Sequence, residues 1–244
     1  MDISAQTTTT ALRTQVFPIL KAAGFDDCTS RKAWRRRKGS VDCVEFRSFN
    51  AYNAEVLCCT TASVSVWFGS SPSFIVPLYP FKDGPKGSRP HECEMPIRGQ
   101  LAPLIRHSLV RPDLIWLIED EKDTNRAATE IAAQFLSYDL AWLSKEWDAK
   151  HLIDLLIEAE GYAELERAAS GASQYIEAGN GDSPHRNRMI AQLAVVCGNN
   201  KLAAIRYERA RWTRNMKTGE RYLFLSAEDD RKLLELSAHY ENLV

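Results

Sequence analysis

The chain has 244 residues, with 31 Lys plus Arg against 32 Asp plus Glu and 45% hydrophobic residues. A chain of this size buries a self-sufficient core, as one large domain or two small ones, without needing a disulfide or a metal. Its apolar content is too high for a disordered tail, and its apolar runs are too short for the ~20 residues of a spanning helix.

Met1 to Thr10 is polar and Thr-rich, without the basic and apolar regions of a secretory signal. A cytoplasmic protein is therefore expected, with no membrane association. In that compartment the six cysteines, Cys28, Cys43, Cys58, Cys59, Cys93 and Cys197, are expected to be reduced thiols.

In chain order, Leu12, Val16, Ile19, Leu20 and Ala23 recur at helical spacing, so a helix is expected over 11–23, stopped by Gly24. From Lys32 to Phe68 the pattern turns β-rich, with Ala62 to Phe68 alternating. Breaks at Lys38-Gly39-Ser40 and Asn50-Ala51-Tyr52-Asn53 predict an antiparallel meander. Eight of the ten prolines fall between Pro72 and Pro112, which excludes a long helix there.

Beyond Pro112 helical signals accumulate. Thr124 is a candidate cap for a helix to about Ser144, with Ala128, Ile131, Ala132, Phe135 and Leu136 on one side. Further helices are expected near 148–159, 161–178, 185–197, 199–216 and 228–242. Ser183-Pro184 suits the start of the third of these. Gly198, Ala203, Tyr207 and Ala210 resemble half of a tetratricopeptide unit, but no period of 34 recurs, so a plain helical hairpin is expected. The fold class expected is α+β: an N-terminal helix plus antiparallel sheet over 1–122, then a helical bundle over 123–244.

Leu20 with Gly24-Phe25, Trp34-Arg35, Cys93, Ile97-Arg98 and Leu101, followed by Trp116 and Leu140-Ala141-Trp142-Leu143, resemble the bacterial family called domain of unknown function 4304, over about residues 8 to 147. The resemblance implies an α+β fold and supplies no catalytic residues. It also carries an association of such small bacterial domains with immunity or toxin-neutralising roles.

Six of the eight residues from Arg31 to Lys38 are basic: Arg31, Lys32, Arg35, Arg36, Arg37 and Lys38, around Trp34. Such a cluster could follow a phosphate backbone while the indole stacks on a base. It could equally be a strand with basic residues turned to solvent and Trp34 in the core. The near-neutral overall balance favours the second reading, so nucleic acid is the lesser expectation.

His91-Glu92-Cys93 would suit a Cys/His enzyme, with His107 or His151 as other bases, but no family signature accompanies it. A second pair of ligands for a zinc site is missing, and so are the fingerprints of phosphate-binding loops and common hydrolases. No catalytic residue, metal or cofactor is assigned.

Charge is unevenly spread. From Glu119 to Asp182 there are 15 acidic and 5 basic residues; from Lys201 to Arg221 there are 7 basic and 2 acidic. Glu119, Asp120, Glu121 and Asp123 form the densest acidic stretch, and an acidic surface speeds capture of a basic protein. The leading expectation is an immunity-type protein that occludes a toxin, possessing a protein partner of basic character. Arg206, Arg209 and Arg214 are expected on one side of the last basic helix, bridging to acidic helices.

Overall fold

The computed structural model describes residues 3–77, 81–103, 114–158, 163–167, 173–176, 183–215 and 217–238. It is α+β, with helices beside an antiparallel sheet followed by C-terminal helices. Two compact units divide the chain: the first takes Met1–Ser71, Phe81–Lys145 and Glu166–Gln174, the second Pro72–Pro80, Glu146–Leu165 and Tyr175–Val244. The division therefore does not follow the expected boundary at 122 and 123.

In the first unit, two helices replace the single one expected over 11–23: α1 (Ala5–Gln15) and α2 (Phe17–Ala22). Ser4 caps α1 by accepting the Thr7 amide. Pro18, lacking an amide hydrogen, cannot continue that ladder, and a new helix starts after Val16. Gly24 then takes φ +91°, the left-handed stop its position signals.

Three strands follow, β1 (Asp27–Cys28), β2 (Lys32–Arg37) and β3 (Ser40–Ser48), antiparallel in sequence, with Arg37 opposite Ser40 across the Lys38-Gly39 turn. The turn expected at Asn50 to Asn53 is instead the start of α3 (Ala51–Val56), because the Asn50 side chain caps it by accepting the Asn53 amide at 2.7 Å. Next come β4 (Val64–Pro72), the short pair β5 (Asp83–Gly84) and β6 (Gly87–Ser88), and β7 (Ile97–Gln100).

β4 lies inside the sheet, between β3 and β7, and is antiparallel to β7. Val64, Ser65, Val66, Phe68 and Ser70 on it are all buried, so both of its faces are covered. Phe68 stands opposite Gly99, and a Cβ at that glycine would enter the Phe68 ring.

α4 (Glu121–Gln134) packs on α1, with Thr129 donating to the Gln15 side chain at 2.9 Å, and buries Thr124, Ala127, Ala128 and Ile131. Asp120, four residues before the expected cap Thr124, is the actual one. A π-turn over Phe135–Asp139 separates α4 from α5 (Leu140–Leu143) and rotates the following side chains off the 3.6-residue register. Leu136, expected in the buried stripe, is 67% exposed, because the buried face of α4 runs through Thr124, Ala127, Ile131 and Gln134 and helical spacing places position 136 on the flank away from it.

The helix expected over 161–178 is replaced by β8 (Ala163–Arg167) and β9 (Ser173–Ile176). They extend the seven-stranded sheet, whose order is β1-β2-β3-β4-β7-β9-β8. Gly171 opposes a continuous helix there, and Tyr175 with Ile176 favours a strand that a sheet edge can pair.

The second unit contains α6 (Ala149–Glu158), α7 (Pro184–Val196), α8 (Asn200–Ala210) and α9 (Ala227–Ser237). Ser183 caps α7 with Pro184 in its first turn, as expected. Gly198, at φ +72°, joins α7 to α8, and buried Ala191, Ala194, Ala203 and Ala204 let the two helices pack closely.

α8 ends at Ala210, short of the expected 216, and the chain continues as the hairpin β10 (Trp212–Arg214) and β11 (Arg221–Leu223). Trp212-Thr213 is β-favouring, and Gly219 at φ +72° supplies the reversal that lets β11 return. α7 and α9 are tied by buried Arg188, whose Nε donates to Asp229 at 2.7 Å, while Gln192 donates to the other Asp229 oxygen at 3.1 Å. Among the described residues, no helix is long and apolar enough to cross a membrane.

Gly99→Ala is expected to destabilise the protein by roughly 1 to 3 kcal/mol through overpacking against Phe68, read as a lower denaturant midpoint at unchanged slope.

Candidate functional site

The basic cluster folds as β2 and turns much of its charge inward. Asp42, on the facing strand β3, has no exposed surface, so its charge must be met by neighbours. Arg35 Nε donates to Asp42 Oδ2 at 2.9 Å, Arg37 Nε to the same oxygen at 2.8 Å, and Ser70 Oγ to Oδ1 at 2.8 Å.

Arg35 reaches further. Its terminal nitrogens donate to the carbonyls of Ala23 and Leu143, each at 3.0 Å, at the C-terminal ends of α2 and α5. Helix ends carry unsatisfied carbonyls and a partial negative charge, and a guanidinium answers both. Its carbon also sits 4.8 Å from the Phe25 ring centroid.

Arg36 is committed to a second buried carboxylate, Asp27, at 2.9 Å. Arg89 donates to both oxygens of Asp27 and lies 5.0 Å over the Trp34 ring. These cations, Arg89 foremost, hold the Asp27 carboxyl below its ordinary range despite the opposing cost of burial. Trp34, 3% exposed, gives its indole hydrogen to the Pro90 carbonyl at 2.8 Å, so its ring is core and unavailable for stacking on a base.

Lys32 pairs with Glu45 at 3.3 Å and meets His91 Nδ1 at 2.6 Å. Arg31 donates to the Ala5 carbonyl at 3.1 Å, which leaves Lys38, exposed on the turn, as the outlying member of the cluster. Trp34 is thus core, as the favoured strand reading expects, but Arg35, Arg36 and Arg37, expected in solvent, instead fasten the sheet to its neighbours.

The acidic stretch behaves differently. Glu119, Asp120 and Glu121 are exposed at the start of α4, and Asp123 is half-buried. Asp120 Oδ1 accepts the Asp123 amide at 2.7 Å, Asp123 Oδ2 accepts the Glu119 amide at 3.1 Å, and Asp123 pairs with Arg126 at 2.8 Å. Two carboxylates are thus used in capping, where the helix dipole favours them. Among the described residues, neither Glu119 nor Glu121 meets a cation at ion-pair distance. The site is an outward-facing acidic turn on a rigid helix start.

Cys93 is exposed in a short 3-10 turn over Glu92–Glu94, while the His91 ring is engaged by Lys32 and lies 3.8 Å from Glu45. His107 lies outside the described residues, and His151 is on α6 in the second unit. All six cysteines are free thiols. Among the described residues no group of three or more His, Cys, Asp or Glu side chains is arranged to hold a metal.

Comparisons with protein-family models, with curated proteins and with solved structures give no match to this chain.

Sequence reasoning missed Asp27 and Asp42, although both lie near the basic cluster in the chain, because the strand register decides which arginines turn inward to meet them; it missed Arg89 because that residue reaches Asp27 from 62 positions away. It also placed Arg206 and Arg214 on one helix face; Arg206 donates to Asn187 at 2.9 Å, whereas Arg214 lies on β10.

Two outcomes follow from these pairs. Asp42→Ala, which leaves Arg35 and Arg37 without their shared acceptor, should destabilise by about 3 to 5 kcal/mol in equilibrium unfolding. An unfolded aspartate titrates near ~3.9, and Asp27 titrates lower when folded. Its contribution is therefore complete above that pH and is lost as pH falls from there through the folded value. Asp27→Asn should remove that contribution at neutral pH and flatten the decline of stability below about pH 4 in urea titrations across the acid range.

Proposed function

We propose that this is a cytoplasmic, immunity-type binding protein that neutralises a basic bacterial toxin by occluding it, with Glu119, Asp120, Glu121 and Asp123 at the contact. The observation that carries the reading is the contrast between the two charged clusters. Arginines 35 to 37 are bound to Asp42 and Asp27, whereas Glu119 and Glu121 face outward without a cation.

Exposed carboxylates held on a helix start act at long range: they steer a basic partner into encounter and leave affinity to be completed by close contacts.

The test is co-purification with the product of the adjacent gene, together with survival of cells producing that product. Stable complex formation and protection are expected. In stopped-flow mixing at low salt, Glu119→Lys with Glu121→Lys should slow association by about tenfold or more and weaken its salt dependence. Absence of both complex and protection would sink the reading, as would an association rate untouched by the charge reversal.

A further inference from the structure

We propose that one face of the β10–β11 hairpin binds single-stranded nucleic acid. The hairpin register sets Trp212 opposite Leu223, Thr213 opposite Tyr222 and Arg214 opposite Arg221. Because side chains alternate along a strand, Trp212, Leu223, Arg214 and Arg221 share one face.

Two features of that face are not accounted for by ion pairing or burial. Like charges directly opposite one another in a ladder repel, yet Arg214 faces Arg221, and neither meets a carboxylate at ion-pair distance among the described residues. Trp212 is 39% exposed and Leu223 43% exposed, on a hairpin that is its own two-stranded sheet. By contrast, Arg211 next to them is neutralised by Asp230 at 3.1 Å and Glu208 at 3.7 Å.

The Arg221 guanidinium lies 4.9 Å over the Trp212 ring. Stacking holds its plane and leaves its outer nitrogens open, so less side-chain freedom is lost when it binds a phosphate. Lys217, exposed in the loop, adds a further cation near the tip.

The described residues of the loop are linked by hydrogen bonds. The Asn215 amide donates to the Glu220 carbonyl at 2.8 Å, the Gly219 amide to the Asn215 carbonyl at 2.8 Å, and the Asn215 side chain accepts the Lys217 amide at 2.9 Å. The single acid of the loop, Glu220, accepts from the Thr218 hydroxyl at 3.2 Å.

A polyanion with planar bases uses every part of this face. Phosphates meet Arg214, Arg221 and Lys217, and a base stacks on the guanidinium–indole pair. An acidic protein segment would meet the arginines, but only a polynucleotide joins a charge to a planar ring in every residue, which favours nucleic acid as the occupant. The surface belongs to the second unit, and the acidic turn on α4 to the first.

The test titrates the full chain into a fluorescently labelled oligouridylate of roughly 12 nucleotides, read by anisotropy between about 50 and 200 mM salt. Binding with a steep salt dependence is expected. Arg214→Ala with Arg221→Ala should weaken it at least tenfold and lower the slope of log affinity against log salt by about 1.4, as two lost phosphate contacts require. Lys38→Ala, on the β2 turn, should leave both unchanged.

If the alanine pair lowers the melting temperature, Arg214→Lys with Arg221→Lys decides: it should keep the slope and bind several-fold more weakly for want of stacking. No binding at the lowest salt would overturn the proposal. So would an unaltered slope in the alanine pair, an equal loss in Lys38→Ala, or tighter binding of a polyglutamate of the same charge.

Discussion

Asp42 is a carboxylate with no surface of its own, and the first unit is arranged so that it never lacks a donor. Arg35 and Arg37 reach it from the strand beside it, and Ser70 reaches it from β4. Once that demand is met, the remaining nitrogens of Arg35 are aimed at the ends of α2 and α5, so one guanidinium closes the sheet and caps two helices. A buried pair of this kind adds little net stability over an apolar replacement, since desolvation offsets most of the attraction. What it supplies is placement: the register of β2 on β3 and the docking of both helix ends have to be right together.

The same economy explains how a nearly neutral chain manages its charge. In the first unit the arginines are drawn inward by Asp42 and Asp27, and the exposed sign at the start of α4 is negative. In the second unit Arg188 is drawn inward by Asp229, and the exposed hairpin is positive at Arg214, Lys217 and Arg221. The total of 31 basic and 32 acidic residues conceals these opposite surfaces. Charges that are buried fix geometry, and charges that are exposed set which partners are attracted.

Local signals in the sequence located much of the fold. Gly24 and Gly39 were legible because left-handed backbone needs glycine, and Ser183-Pro184 because it combines a cap with a proline suited to the first turn. The alternation from Ala62 to Phe68 marked β4, though not that both of its faces are covered. What was lost depended on distant partners. Residues 163–167 and 173–176 become strands through pairing in the sheet, and 212–214 become one through pairing with 221–223. Leu136 fell outside the buried face because α4 packs through Thr124, Ala127, Ile131 and Gln134, a rotation of the helix that apolar spacing alone does not decide. The acidic turn was legible as composition, and the structure adds that two of its acids serve as caps while Glu119 and Glu121 are left outward. The fate of the basic cluster was illegible, because Asp27 and Asp42 carry no mark of their pairing until the strands meet.

The approach of the Phe68 ring to Gly99 joins two sites that are 31 positions apart into one unit of variation. A side chain can enter at 99 without strain once the residue at 68 has become smaller, and a smaller residue at 68 leaves a void unless 99 fills it. The effect of either change thus depends on which comes first, and a path between two well-packed pairs crosses a less stable intermediate. The centre of this sheet is therefore epistatic: substitutions that fail singly can succeed as a pair.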